Sequence, residues 1–143
     1  MSRFALEASF RATTYRIDAD GLRFDLRIDQ ANPLFCEFLR SHAVEHWALI
    51  TAFNPGGLSS DADNARFHSA LLTRLSSIGC VFFPATNLAD GGAWPTEPGF
   101  ILLHVDESQA CALALEFSQQ AFVSGKSDGV ARLIWTLDAS NVS

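Results

Sequence analysis

The stretch that decides the fold is Trp47-Ala-Leu-Ile-Thr-Ala-Phe53, followed by Asn54-Pro-Gly-Gly57. The first segment carries almost no polar side chain, which predicts a central strand with both faces covered. Asn-Pro-Gly-Gly is typical of a tight polar loop at a strand end. Such a loop places backbone N–H groups and an Asn amide at the end of a sheet, where mixed α/β folds often bind a ligand. This loop is therefore the best place to look for a functional site.

A helix and a second strand follow this loop. Apolar residues recur at helical spacing over residues 67–78, Ser60 or Asp61 supplies the N-cap, and Gly79 ends the helix. Cys80-Val-Phe-Phe83 predicts the next strand. A strand, a helix and a strand with short connections predict a right-handed parallel crossover.

The last third of the chain alternates between loops, strands and one helix. Residues 84–99 contain three prolines and three glycines, which predicts a long loop. The elements predicted after it are a strand over 100–105, a helix from Asp106 or Ser108 to Gln120, and strands over 122–123 and 130–137. The remaining tail is expected to fray, and we interpret a glycosylation sequon at 141–143 as chance.

The segment before Trp47 has equally clear local signals. Residues 2–12 predict a short helix, and Thr13 to Asp18 predicts a strand that ends at an Asp20-Gly21 hairpin. Apolar and charged residues then alternate strictly over 22–29, the pattern of a half-buried strand. Asn32-Pro33 opens a helix that ends near His42.

Together these elements predict one α+β domain over residues 1–143. We expect a mixed β-sheet of about six or seven strands packed with about three main helices.

The composition limits the function classes. A net charge of −6 argues against general nucleic-acid binding, which needs a basic face. Five arginines fall in the first fifth of the chain, and we interpret them as a solvated strand face: Arg3, Arg11, Arg16, Arg23 and Arg27. No apolar run approaches the ~18 residues of a membrane helix, and the N-terminus does not resemble a signal peptide. We therefore expect a soluble cytoplasmic protein that uses neither nucleic acid nor membrane as a partner.

No cofactor or metal site is predicted. Cys36, Cys80 and Cys111 are widely spaced and form no CxxC pair, so reduced thiols are expected. His42 and His46 stand four residues apart, but the helix is expected to end between them, which argues against a shared metal ion.

Five short motifs occur in order along the chain: Arg11-Ala-Thr-Thr-Tyr15, Thr51-Ala-Phe-Asn-Pro55, Asn64 with Arg66, Trp94-Pro-Thr-Glu-Pro98 and Phe117-Ser-Gln-Gln-Ala121. The series resembles a bacterial family of small proteins known as domain of unknown function 3293. The likeness extends over about residues 8–136. It implies a shared fold and names no activity.

The candidate ligand-binding residues are Asn54, Asn64, Glu97 and Arg11. Asn54 either braces the following loop or directs its amide at a ligand. Asn64 either caps its helix or braces a loop, or it also directs its amide at a ligand. Glu97 either pairs with Arg11 or Arg66, lies on the surface, or acts as a general base. No catalytic residue is identified, and the sequence does not decide whether the protein is an enzyme.

Two function hypotheses follow. The first is a small-molecule or nucleotide-binding domain whose site lies where the Asn54–Gly57 loop meets residues 84–99, and it predicts that the polar groups converge on a pocket. The alternative is a non-catalytic protein-interaction or regulatory module that works through a strand edge or apolar patch, for example as a homodimer.

Overall fold

The computed structural model describes residues 2–140 and the side chains of residues 2–138. The helices are α1 (Arg3–Arg11), α2 (Pro33–Ser41), α3 (Asp61–Ser77), α4 (Glu107–Glu116) and α5 (Thr136–Ser140). The strands are β1 (Thr13–Ala19), β2 (Leu22–Leu26), β3 (His46–Ile50), β4 (Val81–Ala89), β5 (Glu97–Leu103), β6 (Ala121–Lys126) and β7 (Arg132–Trp135). The predicted sequon at 141–143 lies outside the described residues.

The α+β class is confirmed, with seven strands in one sheet in the order β2-β1-β4-β5-β3-β6-β7. The sheet is not mixed, because every neighbouring pair within it is antiparallel. β3 and β4 do run in the same direction, as the predicted crossover requires, but β5 lies between them. In the same way β3 separates β5 from β6. The two strand-helix-strand units therefore interleave, a long-range pairing that local patterns do not report.

The sheet is covered on both faces, and β3 shows this most clearly. Trp47 and Leu49 belong to a core cluster with the aromatic residues of α2. Ala48 and Ile50 belong to a second cluster with α3 and α4. The prediction of a central strand buried on both faces is confirmed, because successive strand residues point to opposite faces.

The prediction of a long loop over residues 84–99 is wrong. β4 continues through Pro84 to Ala89, and β5 begins at Glu97, which leaves only a short connection with a 3-10 turn. Pro84 pairs with β5, and the pairing of β4 with β1 extends only to Ala85. Pro98 pairs with β4 and precedes the residues that pair with β3. Each proline is tolerated because its missing N–H falls where the strand is paired on one side only.

The five N-terminal arginines are each paired with an aspartate. The pairs are Arg3 with Asp138, Arg11 with Asp29, Arg16 with Asp25, Arg23 with Asp18, and Arg27 with Asp90. The local excess of positive charge in the sequence is thus compensated in the fold. The interpretation as a solvated strand face holds for Arg16 and Arg23, whereas Arg3 and Arg11 lie on α1 and Arg27 follows β2.

Gly125 of β6 provides a test of this packing. A Cβ at this position would collide with the Trp47 indole and lie 2.6 Å from the Val130 carbonyl oxygen. We expect Gly125→Ala to lower the free energy of unfolding by about 1–3 kcal/mol, because a close-packed site must shift to accept it. Urea unfolding measures the difference. Lys126→Ala, at an exposed neighbouring position, is the control. Equal stability of the two variants would show that β6 does not approach Trp47 this closely.

Candidate functional site

A cavity of about 700 Å3 opens at one end of the sheet. Its walls come from α1, the loop over 53–58, the connection between β4 and β5, and residues 118–121. A second cavity of about 40 Å3 adjoins it on the core side. Six residues line both cavities and are called the neck here: Phe10, Tyr15, Asn87, Glu97, Gln119 and Ala121. The larger volume falls within the range of about 300–1,000 Å3 typical of small-molecule sites.

The Asn54 loop is fixed by a reciprocal pair of hydrogen bonds with Asn64. The Asn54 backbone N–H donates to Asn64 Oδ1 at 2.8 Å, and Asn64 Nδ2 donates to Asn54 Oδ1 at 2.8 Å. Asn54 Oδ1 also accepts from the Ser59 backbone N–H at 2.9 Å. Asn54 has a φ of 51°, a left-handed conformation that Asn tolerates better than most residues. The loop-bracing interpretation of both asparagines is therefore confirmed.

Glu97 continues this network into the neck. Its Oε2 accepts from Asn54 Nδ2 at 2.7 Å and from the Trp94 indole N–H at 2.9 Å. Within residues 2–138, no protein group hydrogen-bonds Glu97 Oε1. One carboxylate oxygen is thus held by two donors, and the other remains available in a residue that lines both cavities.

The alternative in which Glu97 pairs with Arg11 or Arg66 is wrong. Arg11 Nη1 donates to Asp29 Oδ2 at 2.7 Å, and Arg66 pairs with Asp63. Both aspartates are closer to these arginines in the folded chain than Glu97 is, so the guanidinium groups are already compensated. Asp29 is also the main cause of the raised pKa of Arg11.

The structure thus brings together three of the four candidate residues. Asn54, Asn64 and Glu97 form one hydrogen-bonded chain, and Asn54 and Glu97 line the larger cavity. Asn64 is buried behind Asn54 and supports it. Arg11 lines neither cavity and belongs to the ion pairs of α1.

Sequence reasoning missed Asn87 and Trp94 as site residues. Asn87 lies directly between Tyr15 and Glu97 in the strand register, so the three side chains share one face of the sheet. Its amide makes no hydrogen bond within the described residues. Its position depends on the extension of β4 to Ala89, which the prolines and glycines of residues 84–99 do not indicate. Trp94 stands three residues before Glu97, a spacing that could have suggested their hydrogen bond.

The other neck groups are neutral. Burial raises the pKa of Tyr15 far above its ordinary value, and its hydroxyl donates to the Phe10 carbonyl at 2.9 Å. Tyr15 therefore stays protonated and is not a free acid. Gln119 Nε2 donates to the carbonyls of Phe53 and Phe117. Among the described residues, Glu97 is the single charged residue that lines either cavity.

The described part of the chain contains neither a cluster of metal ligands nor a membrane-spanning helix. No three His, Cys, Asp or Glu side chains there are grouped as ligands of one metal ion. None of the helices in that part has both the length and the apolar character needed to cross a bilayer.

Comparison with known proteins assigns the chain to a family. The family model described as "Protein of unknown function (DUF3293)" matches residues 50–122, just over half of the chain. The chain belongs to this family, which confirms the resemblance seen in the sequence. The matched segment contains Asn54, Asn64 and Glu97, and it excludes Arg11. No curated protein and no solved structure matches the chain.

His68 is packed between two aromatic rings at this end of the sheet. Its ring stacks on Phe100 with centroids 4.8 Å apart and makes a T-shaped contact with Phe53, and its buried Nδ1 has no hydrogen-bond partner within the described residues. Burial lowers the pKa of His68 below its ordinary value of 6.5. The unfolded chain therefore binds a proton as the pH falls through 6.5, whereas the folded protein binds it only at lower pH.

We expect the free energy of unfolding to decrease between about pH 7.5 and about pH 5.5, with a smaller decrease in His68→Phe. The phenylalanine keeps an aromatic ring between Phe53 and Phe100 and removes the titrating group. Urea unfolding at the two pH values gives the slopes. The same slope in both proteins would mean that His68 does not titrate differently in the folded state.

Proposed function

We propose that this DUF3293 protein binds a small molecule in the cavity at the end of its sheet. The observation that carries the proposal is Glu97, whose Oε2 is held by Asn54 and Trp94, whereas Oε1, beside the cavity, has no hydrogen-bond partner among the described residues. Binding sites typically combine mostly apolar walls with a few fixed polar groups, and this arrangement has that form.

The apolar walls support this proposal. Leu6, Phe10, Phe53, Leu58 and Trp94 all line the larger cavity. They come from α1, the Asn54 loop and the β4–β5 connection, so three separate segments surround one space. A ligand with a flat or apolar body would remove this surface from water.

Preorganisation is the second support. The hydrogen bonds among Asn54, Asn64, Glu97 and Trp94 join groups of the protein to one another. A ligand would therefore meet a polar group that is already oriented, which reduces the entropy lost on binding.

Of the two ligand classes first considered, nucleotides are disfavoured. A phosphate group carries a negative charge that a neighbouring Arg or Lys compensates in its strongest binding sites. The larger cavity has neither an Arg nor a Lys among its lining residues, and its one charge is negative. The proposal is therefore restricted to small molecules without a phosphate group.

A thermal-shift screen tests the proposal, with Ala89→Phe as the blocking variant. Ala89 lines the larger cavity and lies two residues after Asn87 on the same strand face. A ligand at 100-fold its dissociation constant should add roughly 2.7 kcal/mol to the stability of the wild-type protein. We expect this gain to be lost in Ala89→Phe.

Val81→Phe is the matched control, since it adds the same ring to an exposed position at the other end of β4. It should respond to the ligand like the wild-type protein. If no compound stabilises the protein, or if hits act equally on Ala89→Phe, the binding proposal fails and the interaction module becomes the better hypothesis.

A further inference from the structure

The neck offers hydrogen-bond acceptors to a ligand and hardly any donors. Glu97 Oε1 is the first acceptor. Gln119 supplies the second: its Nε2 faces the carbonyls of Phe53 and Phe117 at 3.1 and 3.4 Å. That contact fixes the amide orientation, because the reverse would set Oε1 against two carbonyl oxygens. Gln119 Oε1 accepts no hydrogen bond from the residues that the structure describes.

The side-chain donors of the neck residues themselves are already used, with one exception. The Tyr15 hydroxyl donates to the Phe10 carbonyl, and the Trp94 indole N–H and Asn54 Nδ2 both donate to Glu97 Oε2. The Asn87 amide is the exception, since it can present either its oxygen or its nitrogen. A ligand that enters the neck therefore meets a carboxylate oxygen and at least one amide oxygen.

We propose that the ligand carries a protonated amine or amidinium group, which enters the neck and binds Glu97 Oε1 and Gln119 Oε1. This inference rests on the proposed function and specifies its ligand. The apolar body of the ligand lies against Phe53, Trp94 and Leu58, which line the larger cavity outside the neck. A cation supplies the donors that the neck lacks, and it compensates the one charge of the lining.

The same groups reject an acid. A carboxylate or phosphate in the neck would face Glu97 Oε1 with no compensating cation among the cavity residues. It would also leave the acceptors of the neck unpaired, and a buried polar group without a partner is costly. The site therefore discriminates by charge, and the aromatic body contributes affinity without selecting the head group.

Nine probes test the inference by calorimetric titration at neutral pH. Phenyl, indole and naphthalene rings are each used with a 2-aminoethyl, a 2-hydroxyethyl and a carboxymethyl chain. Within any ring series that binds, we expect the amine to bind at least about tenfold more tightly than the alcohol, and the acid to bind most weakly. Ala89→Phe, which narrows the cavity, should abolish binding of all members.

Two variants examine the head-group contact. In Glu97→Gln the carbonyl can still accept from Asn54 and Trp94, and an amide N–H2 replaces Oε1, so the preference for the amine should disappear. Asn87→Asp adds a carboxylate at a neck position that makes no hydrogen bond within the described residues, so the preference should increase. A gain of this kind cannot result from misfolding.

The outcomes separate this inference from the proposed function. If alcohols or acids bind as tightly as amines, and Ala89→Phe still abolishes binding, the ligand class is wrong and the cavity remains a binding site. An amine preference unchanged in Glu97→Gln also overturns the inference. If none of the nine probes binds, the inference is overturned, and the broad screen decides the proposed function by itself.

Discussion

The reciprocal hydrogen bonds between Asn54 and Asn64 are the constraint on which the site depends. Asn54 follows β3 in a left-handed conformation, which is unfavourable for most residues and less so for Asn. Asn64, buried on α3, accepts from its backbone and donates to its side chain. Each bond contributes on the order of 0.5–1.5 kcal/mol. Together they hold the loop in one geometry and direct Asn54 Nδ2 at Glu97.

The interleaved topology explains why these residues meet. β3 and β5 are antiparallel neighbours, so the last residues of β3 and the first residues of β5 lie at the same end of the sheet. Asn54 follows β3, and Glu97 begins β5. α3 begins at this end of the sheet, directly after the loop, and places Asn64 in its first turn behind Asn54. The fold thus assembles one network from three segments that are distant in sequence.

As a consequence, the two carboxylate oxygens of Glu97 have different surroundings. Two donors hold Oε2, which fixes the side chain, and Oε1 accepts no hydrogen bond from the described residues. Apolar side chains line the same cavity as Glu97, and no Arg or Lys is among the described residues that line it. A complementary ligand group gains more there than it would on an open surface, because the apolar walls lower the local dielectric constant.

Local features of the fold were predictable because their causes are local. Asn32 caps α2 through the Phe35 N–H, Ser60 caps α3, and the Asp20-Gly21 turn joins β1 to β2. The apolar run from Trp47 to Ile50 in β3 likewise reflects the two covered faces of this strand. The extension of β4 through Pro84 was not predictable, since it depends on which side of the strand is unpaired.

The site was predictable in part for the same reason. The placement of Asn54, Asn64 and Glu97 at one sheet end follows from the order of strands and helices. The ion-pair partner of each charged side chain does not follow from that order. By charge, Arg11 and Arg66 are reasonable partners for Glu97. The fold instead places Asp29 beside Arg11 and Asp63 beside Arg66. The role of Asn87 as a site residue depends on the extension of β4 through this position.

Amide hydrogen exchange of the ligand-free protein, followed by NMR, tests the central claim most directly. The Asn54 backbone N–H should exchange slowly, like the amides of β3 and β5, because Asn64 Oδ1 accepts it. The exposed Gly56 of the same loop is the internal reference for fast exchange. Slow exchange at Asn54 with fast exchange at Gly56 is the result that the account predicts. Equally fast exchange at both would contradict it, because the network would then not be formed before a ligand binds.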